Sequence, residues 1–232
     1  MRAKNSKQIL RALSLTILFS HCLQADMNDD PLLSMVKVDR LEIRNDRENT
    51  QKWEGSLWIG YDLNKVSLYS EGERTSDGLE SSQNELLYTR SILPYWDMQV
   101  GIAYDNNADA SRKWAEVALS GLAPYYFEIR AALLFNEKGN WGLRLDTEYE
   151  LLLTQKLIVT PSLEADFYTK DDQTMHLGSG LSSIEAGARL RYEFIREFAP
   201  YVGVEWERTF GQTYTYDPIN DLHALFGITF WF

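Results

Sequence analysis

From about residue 36 to its last residue the chain alternates apolar and polar side chains with a period of two. Trp141, Leu143, Leu145 and Tyr149 fall on one face; Arg144, Asp146, Glu148 and Glu150 fall on the other. The next run sets Leu157, Val159, Leu163 and Phe167 against Thr160, Ser162, Glu164 and Asp166. The one after sets Ile184, Ala186, Ala188, Leu190 and Tyr192 against Glu185, Arg189, Arg191 and Glu193. Successive side chains of a strand point to opposite faces, so this pattern predicts strands with one greasy and one charged side. Extended both ways, it predicts about twelve strands, near 36–45, 52–61, 63–71, 84–93, 95–105, 112–121, 124–136, 140–152, 156–168, 182–195, 198–210 and 221–232. Around Asp39 and Arg40 the alternation slips, which suggests a β-bulge. Several runs reach ten residues or more. Strands of soluble proteins average about five or six, whereas a tilted membrane-spanning strand needs about 9–11.

The connections alternate in length. Asp62, Pro94, Ala123-Pro124, Thr154-Gln155 and Arg196 mark short turns, and 72–83, 106–111, 169–181 and 211–220 read as longer polar loops. Short turns at one end and long loops at the other are the pattern of outer-membrane barrels. Aromatic residues sit near the ends of apolar faces, as in Trp53 and Tyr61, Trp96 and Tyr104, Trp141 and Tyr149, where a barrel carries its interfacial girdles. The last strand alternates through Leu222, Ala224, Phe226, Ile228 and Phe230 to a terminal Phe232. Such an ending resembles the signal read by the outer-membrane insertion machinery. A soluble β-sandwich also alternates, but the charges decide which face meets which solvent. Three runs, 140–152, 156–168 and 182–195, carry ten alternating charges. A charge facing lipid at mid-membrane costs up to about 2–4 kcal/mol, so ten would cost on the order of 20. A typical domain is stable by only about 5–15 kcal/mol. The charged face must therefore point inward, around a narrow lumen in which acids and arginines cross-pair. The expected fold is all-β: a transmembrane antiparallel up-and-down barrel of about twelve strands ending in Phe.

The N-terminus changes the compartment. Arg2, Lys4, Lys7 and Arg11 precede a short apolar run, Ala12 to Leu23, and Ala25 ends a usable cleavage signal. This describes a secretory signal peptide over residues 1–25, too short to span a bilayer as a helix. A short periplasmic segment, 26–35, and a barrel, 36–232, are then expected. Removal of the leader removes Cys22, the only cysteine, and moves the formal net charge from −11 to −15. Thiolate metal sites and cysteine nucleophiles are excluded from the processed chain. So acidic a chain does not suit nucleic acid, which needs clustered Lys and Arg, and suits cations better.

The chain also resembles the CopB/PcoB family of outer-membrane copper-resistance proteins. The resemblance is carried by DPLLSMVKVDRLE at 30–42, WEGSLWIGYDLNK at 53–65, YTRSILPYWDMQVG at 88–101, GLAPYYFE at 121–128, YELLLTQKLIVTPSLEADFYTKDD at 149–172 and GSGLSSIEAGARLRYEFIREFAPYVGVEWERTFG at 178–211. It implies a barrel in outer-membrane lipid that binds copper ions, or passes them across the membrane, in company with a periplasmic copper-binding protein. Members commonly carry a Met- and His-rich segment ahead of the barrel; here residues 26–35 offer only Met27 and Met35.

Candidate metal ligands are therefore few: His223, on the charged face of the last strand; Met175 and His176, adjacent in a long loop; and Met27 and Met35. Imidazole and carboxylate suit Cu(II), and thioethers suit Cu(I). Met98 shares a face with Trp96 and Val100 and is expected to meet lipid. The broader candidate surface is the inward row of Glu116, Glu128, Asp146, Glu148, Glu150, Glu164, Asp166, Glu185, Glu193, Glu205 and Glu207, with Arg130, Arg144, Arg189 and Arg191 among them. Two other readings compete with copper handling: a narrow general cation or small-solute pore, and a barrel phospholipase. The second needs a Ser-His pair at the lipid-facing surface, and no Gly-x-Ser-x-Gly elbow occurs. A non-enzyme is expected.

Overall fold

The computed structural model describes residues 30–46, 48–108 and 110–232. The expected leader and Met27 lie outside the described residues, and Leu33–Phe232 form one unit. Twelve staves follow in order: β1 (Leu33–Arg44), β2 (Gln51–Gly60), β3 (Asn64–Thr75), β4 (Gly78–Leu93), β5 (Trp96–Asn107), β6 (Ser111–Ala123), β7 (Phe127–Phe135), β8 (Trp141–Tyr149, resumed at Leu151–Leu152), β9 (Leu157–Tyr168), β10 (Gly180–Tyr192), β11 (Phe198–Thr209) and β12 (Asn220–Trp231). Each pairs antiparallel with the next, and β12 returns to pair with β1, Lys37 opposite Trp231 and Arg44 opposite Leu225. The sheet closes, so backbone donors and acceptors are satisfied between strands, as hydrocarbon requires.

The bulge in β1 is present. The pairing slips between Val38 and Arg40 against β2, and between Val38 and Leu41 against β12. One extra residue reverses the parity of everything after it. Lys37 faces the lumen before the slip; Arg40, Glu42 and Arg44, all buried, face it afterwards, while Leu41 and Ile43 remain outside and exposed.

Three expectations change. Residues 72–83 are mostly strand: β3 and β4 run on to a two-residue turn at 76–77, with Gly78 at φ 141°. The stretch is polar on both faces because this hairpin extends past the apolar band. Residues 124–126 form a 3-10 turn rather than the start of a strand. The 211–220 connection holds a short helix, α1 (Gly211–Tyr216). The loop before β10 keeps residues 169–179, with a 3-10 turn at Gln173–Met175.

The outer wall is the apolar parity. Leu57, Leu68, Leu86, Val100, Ile102, Val117, Val202 and Phe226 are exposed there, and Met98 stands on the same wall. Aromatic pairs mark both ends of the band on β7 and β8: Phe127 stacks on Tyr149 at 4.7 Å, and Phe135 meets Trp141 edge-on at 4.6 Å. The eight steps between Phe127 and Phe135 span about 26 Å along the strand at about 3.3 Å each. With strands tilted about 40° from the barrel axis, that is a height of about 20 Å, most of an apolar band about 25 Å tall. Connections at the end holding residue 33 and Phe232 (the terminal end) are short; those at the opposite, loop end include the longest.

If this band meets lipid, Ile102→Arg at mid-strand should destabilise the barrel in vesicles by about 2–4 kcal/mol. Guanidinium unfolding followed by tryptophan emission measures it, and an unchanged midpoint would refute the assignment of that wall.

Candidate functional site: a charged lumen

Inward parity brings charges from distant strands into one interior. Arg189 on β10 donates to Glu42 on β1 at 3.0 Å and to Glu205 on β11 at 2.5 Å. Tyr201 adds a hydroxyl to Glu42 at 3.0 Å. Arg40 reaches Glu164 on β9 at 2.7 Å and Glu54 on β2 at 3.0 Å. Arg44 pairs with Glu205, and with Glu73 at 3.0 Å. The Lys52 ammonium sits 2.6 Å from Glu185, four staves away around the wall. The Arg40–Glu164, Arg189–Glu42, Arg44–Glu205 and Lys52–Glu185 contacts reach across the β12–β1 seam, which only a closed barrel can make.

A second network occupies the β4–β8 side. Arg130 donates to Glu85 at 2.5 Å and Glu116 at 2.6 Å. Arg144 and the Trp114 indole N–H both donate to Asp105, each at 2.6 Å. Beside them Trp114, Tyr168, Ala103 and Leu134 form the only large apolar cluster of the interior among the described residues. Leu177 of the 169–179 loop packs on that cluster, and Asp172 of the same loop pairs with Arg112. The loop is thus drawn onto one side of the loop-end opening.

The networks leave two separate chambers. The first, of about 190 Å³, lies toward the loop end. Seven carboxylates line it: Glu71, Glu73, Asp146, Glu164, Asp166, Glu185 and Glu207; its cations are Lys52 and Arg144. The second, of about 160 Å³, lies toward the terminal end and balances five acids with five bases. Arg191 there pairs with Glu150 at 2.6 Å and with Glu193 at 3.6 Å. Arg40–Glu164 and Arg189–Glu42–Glu205 stand between the chambers, so the lumen is divided rather than open.

The family model described as copper resistance protein B precursor (CopB) matches residues 32–232. The chain belongs to the CopB family. It is 40% identical to "Copper resistance protein B" of Escherichia coli over 81% of its own length and 64% of that protein's. It is 35% identical to "Copper resistance protein B homolog" of Pseudomonas syringae pv. tomato over 89% of this chain and 72% of the relative. The chain therefore spans just under two thirds of the first relative. Among solved structures it is similar to the NanC porin (TM-score 0.56, 15% identity, 84% of this chain and 98% of that one). The KdgM porin is also similar (TM-score 0.50, 12% identity, 85% and 98%). At these identities the likeness is one of fold: an outer-membrane barrel, the localisation that the CopB match also gives.

Of the charged residues singled out from the alternation, Arg144, Asp146, Glu164, Asp166, Glu185 and Glu207 line the loop-end chamber, Glu150, Arg189, Arg191 and Glu193 line the terminal-end one, and Glu116, Arg130 and Glu205 stand in the ion-pair networks. Glu128 and Glu148 line the terminal-end chamber. The partners on β1–β5 were not singled out: Arg40, Glu42, Arg44, Lys52, Glu54, Glu71, Glu73, Glu85 and Asp105. Lys52 and Glu54 alternate with Trp53, and Glu85 with Leu86, so the same signal was available there.

The candidate metal ligands of this CopB member fare differently. His223 is inward, directly opposite Glu205 in the β11–β12 ladder, but Glu205 is taken by Arg44 and Arg189. Met175 and His176 do not act as a pair. Met175 is buried, whereas His176 turns into the left-handed region (φ 57°) and is exposed. Met35, half-buried near the terminal end, stands opposite Trp58. Among the described residues no three His, Cys, Asp or Glu side chains stand together at metal-holding geometry. Neither described histidine lies on the lipid-facing wall, where a barrel lipase would need it.

Removing one partner from a buried network strands the others, at a cost of about 3–5 kcal/mol. Arg189→Ala, which leaves buried Glu42 with only the Tyr201 hydroxyl and Glu205 with only Arg44, should lower stability in vesicles by that amount. Arg191→Ala, whose partner Glu150 is exposed, should lose under about 1 kcal/mol. Equal losses in the two variants would show that the central network has no special weight.

Proposed function

We propose that this barrel serves copper tolerance by drawing copper ions into the acidic loop-end chamber and holding them at the outer membrane, without chemical catalysis. Membership of the CopB family supplies the cargo. The observation that carries the mechanism is a chamber lined by seven carboxylates, of which Glu71 and Asp166 have no cation within ion-pair distance among the described residues, while Arg40 and Arg44 pair with Glu164 and Glu73 from behind its wall. Negative walls with low dielectric behind them focus the field and concentrate cations. The donors are carboxylate oxygens, with no thioether or imidazole lining the chamber. Oxygen ligands suit Cu(II) over Cu(I), which favours soft sulfur. Capture is thus electrostatic and oxygen-based rather than a preformed coordination cage. Glu71 is the most available donor: it faces the chamber and has no cation within ion-pair distance among the described residues.

Isothermal titration of the refolded barrel with Cu(II), and with Cu(I) under reducing conditions, tests this. Saturable Cu(II) binding is expected. It should weaken several-fold in Glu71→Gln/Asp146→Asn and fall as ionic strength rises. Absence of saturable binding, or binding indifferent to those changes, would remove the chamber from the mechanism. Planar-bilayer conductance separates holding from passage: the divided lumen should give little current, and a steady cation-selective conductance would favour a pore instead.

A further inference from the structure

The terminal-end chamber is balanced in count, but its charges are not matched one to one. Arg40 and Arg189 are held by the central network, and Lys37 by Asp39 at 2.5 Å. Glu128 has no cation within ion-pair distance among the described residues. Glu148 has only an Arg40 nitrogen at 3.9 Å. These two acids stand directly opposite each other in the β7–β8 ladder. Like charges so placed repel, so this side of the chamber is a negative pole.

Donors without acceptors line the other side. Thr160 on β9 is only 5% exposed, yet its hydroxyl has no hydrogen-bond partner among the described residues. It stands opposite Arg189 in the β9–β10 ladder, and therefore diagonal to Arg191. Arg191 directs Nη2 to Glu150 and Glu193, while its buried Nε–H has no partner. The guanidinium of Arg196, in the β10–β11 turn, lines the same chamber and has no carboxylate within ion-pair distance among the described residues. A buried donor left unpaired carries its full desolvation penalty, which an incoming acceptor relieves.

We propose that the terminal-end chamber binds a small zwitterion of the amino-acid class. Its carboxylate would lie against the Thr160 hydroxyl, the Arg191 Nε–H and Arg196, and its ammonium against Glu128 and Glu148. A solute with one charge answers one pole and leaves the other unanswered; a zwitterion answers both. The chamber, about 160 Å³, is far larger than a bare ion needs. Short turns ring this end, which in an outer-membrane barrel is the periplasmic one. The Arg40 and Arg189 pairs separate the site from the loop-end chamber, so it neither rests on the copper reading nor competes with it.

Isothermal titration of the full chain, refolded in detergent and in buffer stripped of metal, tests this with glycine and β-alanine as zwitterions. Acetate and methylammonium serve as single-charge controls. At least one zwitterion should bind saturably, and at least tenfold more tightly than either control. Thr160→Val keeps the side-chain shape and strands no partner, so the barrel should fold with its guanidinium midpoint unchanged. Its zwitterion affinity should nevertheless fall several-fold, as should that of Glu128→Gln. Absence of saturable binding by both zwitterions would overturn the proposal. So would acetate binding as tightly as glycine, which would leave an anion site with no role for the acids. Affinity unchanged in both variants would place the bound zwitterion elsewhere and overturn it equally.

Discussion

Charge neutralisation inside a narrow closed sheet is the constraint on which the rest of this structure depends. Hydrocarbon outside admits no charge at mid-depth, so the charged parity of every strand must turn inward. A twelve-stranded interior is too small to hydrate each of those charges separately. At mid-depth they are stabilised where acids meet bases and hydroxyls in shared networks. Arg189 shows the arrangement: its Nε and Nη2 atoms serve Glu42, Nη2 also serves Glu205, and Nη1 donates to Ser162 at 3.2 Å.

The bulge at Asp39 connects this constraint to the wall. Without its extra residue, Arg40, Glu42 and Arg44 would lie on the parity of Val36 and Val38 and face lipid. With it, β1 places Lys37 in the terminal-end chamber and the later three residues in the central network. Closure then brings β9, β10 and β11 within reach of β1. A local irregularity of one strand and the long-range return of the last strand are needed together.

Strand number, lumen direction and the bulge were legible because each is written in local alternation. Ion-pair partners were not. Arg40 and Glu164, or Lys52 and Glu185, meet across the lumen from opposite ends of the sequence. Their pairing follows from closure, which no short-range pattern encodes. The extended β3–β4 hairpin escaped notice for a different reason: beyond the bilayer both faces are wet, so residues 72–83 lose the alternation that marks a strand. Met175 and His176 show the limit of adjacency as evidence. They are neighbours in sequence, but the left-handed backbone at His176 sends one side chain into the loop's packing and leaves the other in water.

The two chambers differ in charge rather than in size, and that difference bears on how a barrel can handle copper without soft ligands in its lumen. A balanced chamber exerts little field at a distance, since its acids and bases cancel in sum. Carboxylates without an ion-pair partner at the loop end, Glu71 and Asp166, exert a field toward the exterior that the paired middle layer does not extend across the barrel. A cation entering from outside would therefore meet its most favourable site before the ion-pair layer. To continue, it would have to displace Arg40 or Arg189 from its carboxylate partners. On the proposed reading, this asymmetry favours retention over passage. It also puts preference for copper over other divalent ions in the ion's own affinity for oxygen donors, where the Irving–Williams order places Cu(II) highest, rather than in the shape of a dedicated cage.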